Sequence, residues 1–87
     1  VTYALRVSRS ARRSLERDLP EAVASAVWEF ISGDLLVNPY RVGKPLRFDL
    51  EGYFSARRGM YRVIYRILDE EIVVEVIKIS HRADAYT

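Results

Sequence analysis

The sequence predicts an α+β fold: an N-terminal strand, a helical hairpin, and then a three-strand antiparallel meander, with the helices packed on one face of the sheet. Three observations carry this. Apolar residues recur at helical spacing between Ala11 and Gly33, they alternate at strand spacing from Tyr53 onward, and glycine and proline cluster in between. The 87 residues form one small domain, residues 1–87, with room for a single modest core.

"YALRV", Tyr3 to Val7, alternates apolar and polar positions and reads as a short strand. Ser8 or Ser10 is placed to cap a helix beginning just after it. In "SARRSLERDL", Ala11, Leu15 and Leu19 recur every four positions with Arg12, Arg13 and Arg17 outside them, the pattern of a short amphipathic helix. Pro20 ends that helix and opens the next, since proline at the first helical position loses no hydrogen bond. "PEAVASAVWEFISG" sets Val23, Val27, Phe30 and Ile31 on one stripe and stops at Gly33. The following "DLLVNPYRVGKPLRFDLEG" reads as a loop with an extended piece near Leu46 to Leu50. Three strands are expected after it, at Tyr53 to Arg57, Met60 to Leu68 and Ile72 to Ile79, the last two joined by a turn at Asp69-Glu70.

Side chains alternate across a strand, so faces can be counted. A two-residue turn around Gly59 gives paired positions an odd sum. Tyr53, Ser55 and Arg57 then share one face with Arg62 and Arg66, while Phe54, Ala56 and Val63 look toward the helices. The same count through a two-residue turn puts Val74 and Val76 on the helix side, and Glu75, Ile77 and Ile79 on the arginine side. The sheet therefore offers an arginine-lined face to solvent. Pairing of Arg62 or Arg66 with Glu75 accounts for one arginine and leaves Arg57 without an acidic neighbour.

Charge is unevenly placed along the chain. Arg41, Lys44, Arg47, Arg57, Arg58, Arg62 and Arg66 face only Asp49 and Glu51, a local balance of 7 − 2 = +5 within a net charge of +2. Of the 14 basic residues all but Lys44 and Lys78 are arginine, whose planar fork grips phosphate and stacks on bases. With no cysteine and one histidine, a disulfide scaffold and a thiolate or multi-histidine metal centre are excluded, so any chemistry is expected to run without a cofactor. No window approaches the roughly 18 apolar residues of a membrane span, and no signal-peptide pattern appears. A cytoplasmic location away from membranes is expected. The C-terminal "SHRADAYT" brings His81, Arg82 and Tyr86 to the edge of the arginine-lined sheet.

In combination, "GKPLR", "SARRGMYRVIYRI" and "SHRADAY" resemble the RelE toxins of bacterial type II toxin–antitoxin systems, within the wider RelE/ParE superfamily. The resemblance spans nearly the whole chain. It implies a toxin that enters the ribosomal A site and cuts mRNA there without metal, by attack of a ribose 2′-hydroxyl on the adjacent phosphate. Such a reaction needs a base for the hydroxyl, cations for the charged transition state and an acid for the leaving oxygen. By this resemblance Arg62 contacts the phosphate, Arg82 is the second arginine after the last strand and Tyr86 the C-terminal tyrosine, which stacks on the base or orients the 2′-hydroxyl. Arg57 adds charge on the same face, and His81, the only side chain that titrates near neutrality, is the candidate acid or base. Lys44, Arg47 and Arg58 are expected to grip RNA.

The family's two lysines on the first meander strand correspond here to Tyr53 and Ser55, so the lysine base is absent and the proton acceptor stays open. The implied partners are a cognate antitoxin, the ribosome and its mRNA, with operator DNA reached only through the antitoxin. A ParE-like inhibitor of DNA gyrase without nuclease activity is the alternative, since that branch shares the fold.

Overall fold

A computed structural model describes residues 2–81. A five-stranded sheet in the order β1-β5-β4-β3-β2 is covered on one face by helices. The strands are β1 (Ala4–Val7), β2 (Lys44–Pro45), β3 (Phe54–Arg58), β4 (Tyr61–Leu68) and β5 (Val73–His81). β1 runs parallel to β5 and every other pair is antiparallel. The α+β order read from the sequence is observed, with the meander extended by β1 on one side and by the two-residue β2 on the other.

α1 (Arg9–Arg13) starts at Ser8, whose hydroxyl accepts the Ala11 N–H at 3.1 Å. The helix predicted through residue 19 loosens into a π-helical turn at Ser14–Asp18, where the Leu19 N–H reaches the Ser14 carbonyl 2.9 Å away. α2 (Glu21–Ser32) follows Pro20 and buries Val27, Phe30 and Ile31. These three pack with Ala11, Leu19, Leu35 and Leu36 on Ala56, Val63, Tyr65, Val74, Val76 and Ile79 of the sheet.

The stretch read as a loop contains two single-turn helices, α3 (Asp34–Val37) and α4 (Pro39–Val42). Burial explains them: Leu35, Leu36 and Pro39 are sealed into the core, and the buried Tyr65 hydroxyl donates to the Pro39 carbonyl at 2.6 Å. Gly43 lets the chain pass here, because a Cβ at that position would collide with the Tyr65 hydroxyl and come within 2.9 Å of the Ser55 carbonyl oxygen. The extended piece lies at Lys44–Pro45, earlier than predicted, and Phe48–Leu50 is a 3-10 turn entered through Phe48 at φ 59°.

The turn at Gly59-Met60 has the predicted length, with Gly59 at φ 54°, and it pairs Arg57 with Arg62 and Arg58 with Tyr61. Between β4 and β5 the turn is longer than predicted, Asp69 to Ile72, but the parity is unchanged and Val74 and Val76 are buried as expected. Further along, β5 departs from the count. Ile64 pairs with Lys78 but Tyr65 with Val76, so Ile77 is an extra residue, a β-bulge. Its carbonyl accepts the Ser8 hydroxyl at 2.6 Å, so the side chain that caps α1 also satisfies the bulge. Beyond the bulge the faces exchange. Ile79 is 4% exposed on the helix side, opposite Val63, and not on the arginine side where simple alternation put it.

Candidate phosphate-binding face

The open face of the sheet can be read in rows, since directly paired residues project to the same side. The first row is Arg57, Arg62 and Ser80 on β3, β4 and β5. The second is Lys44, Ser55, Ile64 and Lys78. Neither row contains an acid, and among the described residues none of the four cations takes part in an ion pair within 4 Å. Arg57 and Arg62 are both exposed and stand opposite each other, an arrangement of like charges that works against the sheet.

A third row shows the contrasting solution. Arg66 pairs with Glu75 across the strands, its Nε donating to the carboxylate at 2.6 Å, and this hydrogen bond together with the Glu75 charge holds the Arg66 pKa above its ordinary value. Arg6, which pairs with Glu75 in the parallel ladder, donates to Glu71 at 3.2 Å. Electropositive character thus concentrates at the end of the face next to the Gly59 turn. An anion there would meet guanidiniums from paired positions on adjacent strands, with a lysine on β2 and another on β5 one row away.

The expected site residues divide. Arg57 and Arg62 come together, and Lys44 sits one row from them. Arg58 falls on the opposite face with Tyr61, where its guanidinium lies 4.7 Å from the centre of the Phe30 ring and donates to the Val42 carbonyl at 3.0 Å. Arg47 is exposed in the connection between β2 and β3, outside the strand rows. His81 pairs with Tyr61, not with an open-face residue, and its Nε2 is buried with no hydrogen-bond partner among the described residues. The bulge at Ile77 causes this by reversing the alternation. Arg82 and Tyr86 lie outside the described residues. Lys78 was missed, because simple alternation sends it to the helix side and only the bulge returns it to the open face.

Among the described residues no group of three or more His, Cys, Asp or Glu side chains is placed to hold a metal ion. No helix among them is long and apolar enough to cross a membrane.

Residues 5–86 match a family model described as the ParE toxin of type II toxin–antitoxin systems. The chain belongs to the RelE/ParE toxin family. Toxin RelG of Mycobacterium tuberculosis is 52% identical to it over 84 residues, covering 97% of this chain and 95% of that protein. Toxin RelE of the same organism is also 52% identical over 84 residues, covering 97% of this chain and 86% of that protein. The structure superposes on a chain of the M. tuberculosis RelBE2 toxin–antitoxin complex with a TM-score of 0.91 and 51% identity, covering 94% of this chain and 100% of the other. In this RelE/ParE toxin Arg57 and Arg62, neither in an ion pair among the described residues, stand on the sheet face opposite the helices.

Proposed function

We propose that this toxin inhibits translation by cutting mRNA in the ribosomal A site, and that a cognate antitoxin silences it. The observation that carries the reading is the Arg57–Arg62 pair, two exposed guanidiniums opposed across β3 and β4 with no acid in their row. The 52% identity to toxins named RelG and RelE supports the nuclease branch of the family.

In the proposed reaction the 2′-oxygen attacks the adjacent phosphorus and the bond from phosphorus to the 5′-oxygen breaks. A 2′,3′-cyclic phosphate and a 5′-hydroxyl result. One proton leaves the 2′-hydroxyl and one reaches the departing oxygen, while Arg62 and Arg57 stabilise the negative charge that builds on the non-bridging oxygens. Removing one such donor typically costs about 10²–10³ in rate. Arginine does not give up its proton, so these two residues supply charge and grip, not acid–base work. Arg82 and Tyr86 keep the roles that the family resemblance implies. His81 would have to leave its position opposite Tyr61 to serve as acid or base.

Weak proton transfer makes positioning by the ribosome decisive. Holding the 2′-hydroxyl in line with the leaving oxygen removes about 7–11 kcal/mol of barrier in the best intramolecular cases. Free RNA should therefore be cut poorly, and mRNA on a ribosome with a vacant A site much faster. Single-turnover rates on one RNA, with and without programmed ribosomes, test this; equal rates would make the protein a stand-alone nuclease. The likeness to the toxin of the RelBE2 toxin–antitoxin complex supports an antitoxin partner, and the family resemblance implies that the antitoxin is encoded nearby and carries the operator-binding part. Co-expression of the adjacent small reading frame should restore growth.

The matching family model is described as a ParE toxin, and this favours a second reading, inhibition of DNA gyrase. Gyrase-linked DNA damage without RNA cleavage in expressing cells would establish it in place of the first.

A further inference from the structure

β5 contains one residue more than the sheet requires. Without Ile77 the stretch from Val74 to Ser80 would alternate strictly, with Val74, Val76 and Ile79 buried and Glu75, Lys78 and Ser80 on the open face, which is where each of them stands. The extra residue changes no side chain's face. It leaves one position of the ladder unpaired, and protection of the strand edge does not account for it. β1 ends opposite Val76, and past that point hydroxyls of the helical layer already cover β5: Ser8 donates to the Ile77 carbonyl at 2.6 Å and Ser14 to the Ile79 carbonyl at 3.4 Å. What a bulge does alter is the local twist and the aim of the side chain that follows it, here Lys78.

Lys78 is exposed and takes part in no ion pair among the described residues. Its row runs Lys78, Ile64, Ser55, Lys44 across four strands, so a cation stands at each end of an uncharged centre. The Arg57–Arg62 row lies two residues away, about 7 Å along the strands, and diagonal neighbours such as Lys78 and Arg62 are about 7–8 Å apart. That separation suits successive phosphates of one extended strand. On the far side of the lysines the next row is neutralised by the Arg66–Glu75 pair, so the run of free charge ends after these two rows.

We propose that Lys78, aimed by the Ile77 bulge and helped by Lys44 from the other end of its row, holds the phosphate next to the one seated at Arg57 and Arg62. Ser8 is a positioning residue, because its hydroxyl fixes the carbonyl of the bulge from outside the strand. The proposal rests on the reading of the arginine pair as the seat of the reacting phosphate, and it adds a subsite for the neighbouring linkage. Two phosphates held at a fixed separation restrict the sugar between them. That sugar carries either the attacking 2′-oxygen or the leaving 5′-oxygen, so the grip contributes to in-line alignment as well as to binding.

The test is single-turnover cleavage on programmed ribosomes of messages that carry one uncharged methylphosphonate linkage, placed immediately before or immediately after the scissile one. Wild type should lose about 10-fold in rate from the uncharged linkage on one side and little from the other. Lys78→Gln should be slower than wild type on the natural message by a similar ~10-fold, and the uncharged linkage should cost it nothing further. Its melting temperature should be unchanged or slightly raised, since an exposed cation among cations is removed. A wild-type rate for Lys78→Gln, or an equal loss from the uncharged linkage in both proteins, would overturn the proposal.

Deletion of Ile77 separates the aim of Lys78 from its face. The lysine stays on the open side by alternation, the bulge is gone, and cleavage should fall to the level of Lys78→Gln; a wild-type rate would overturn the role of the bulge. If the deletion variant does not fold, Ser8→Gly replaces it, because glycine remains an acceptable N-cap while the hydroxyl to Ile77 is lost. Its sensitivity to the uncharged linkage should shrink severalfold, and full sensitivity would count against the bulge. Should wild type cut no message on ribosomes, the nuclease reading fails by itself. Binding of a short single-stranded oligoribonucleotide then decides the subsite: the slope of log Kd against log salt should weaken by about 0.7 in Lys78→Gln, and an unchanged slope would overturn it.

Discussion

Arg62 and Arg66 are four residues apart on β4, point to the same face and meet opposite fates. Arg66 is bound by Glu75, directly opposite on β5. Arg62 faces Arg57 on one side and Ser80 on the other. Identical chemistry in identical secondary structure is neutralised at one end of the face and, among the described residues, left without an ion pair at the other. A salt-bridged arginine on a strand needs no explanation beyond the sheet. An arginine set against another arginine does, because the sheet would be more stable without it. The comparison separates cations that serve the fold from cations kept for a ligand.

The sharpest way to break it is Arg62→Ala. If the bare end is the phosphate site, the ribosome-dependent rate should fall by about 10²–10³, or roughly 2.7–4 kcal/mol. The melting temperature should be unchanged or slightly raised, since a cross-strand repulsion is gone. Full toxicity at equal protein level would show that Arg62 is ordinary surface. Arg66→Ala should do the reverse, lowering the melting temperature modestly and leaving the rate near wild type.

Between the two arginines, Tyr65 points the other way and shows what structural service looks like on the same strand. It is fully buried, stacks on Phe54 with ring centres 5.6 Å apart, and donates to the Pro39 carbonyl. Burial pushes its pKa up to about 12, against the opposing effect of Arg58. Tyr65→Phe would leave a buried carbonyl unpaired and should cost about 1–3 kcal/mol of stability. The sign of the pH effect follows from the raised value. Folding favours the neutral phenol, so this contribution is intact below the ordinary tyrosine pKa of about 10 and is lost as the pH rises toward about 12. Alkaline denaturation followed by circular dichroism should come at lower pH for wild type than for a Tyr65→Phe variant normalised to its own neutral-pH stability.

Most of this contrast was legible in the sequence, and the part that was not has one physical origin. Strict alternation fixes faces as long as strands are regular, so the Gly59 turn sufficed to put Arg57 with Arg62 and to bury Ala56 and Val63, and the count through the next turn, longer than predicted but of the same parity, buried Val74 and Val76. A single inserted residue inverts everything beyond it. The Ile77 bulge moved Ile79 and His81 to the helix side and Lys78 and Ser80 to the open face, and no residue at Ile77 announces it. The partner that satisfies it is long-range: Ser8, 69 residues away, donates its hydroxyl to the Ile77 carbonyl. The two short helices after Gly33 were hidden for a similar reason. Their prolines and glycine look like loop punctuation, and only burial of Leu35, Leu36 and Pro39 turns the segment helical.

The bulge also allows a gentler test, because it fixes which residue stands opposite Arg62. Ser80→Glu would copy at the bare end what Glu75 does at the neutralised end, with an acid directly across from the arginine on β5. If the two ends differ only in the presence of that acid, the substitution should convert one into the other. The Arg57–Arg62 repulsion would be relieved, the melting temperature should rise, and the phosphate would meet a guanidinium already holding a carboxylate. A loss of roughly 10-fold in rate is expected, smaller than for Arg62→Ala because Arg57 and the new pair's residual charge remain. High salt should recover part of it by screening an exposed pair. Were the bulge absent and Ser80 on the helix side, the same change would bury a glutamate under α1 and lower the melting temperature instead. One variant thus reads the register of β5 from the sign of its stability change and the role of Arg62 from its rate.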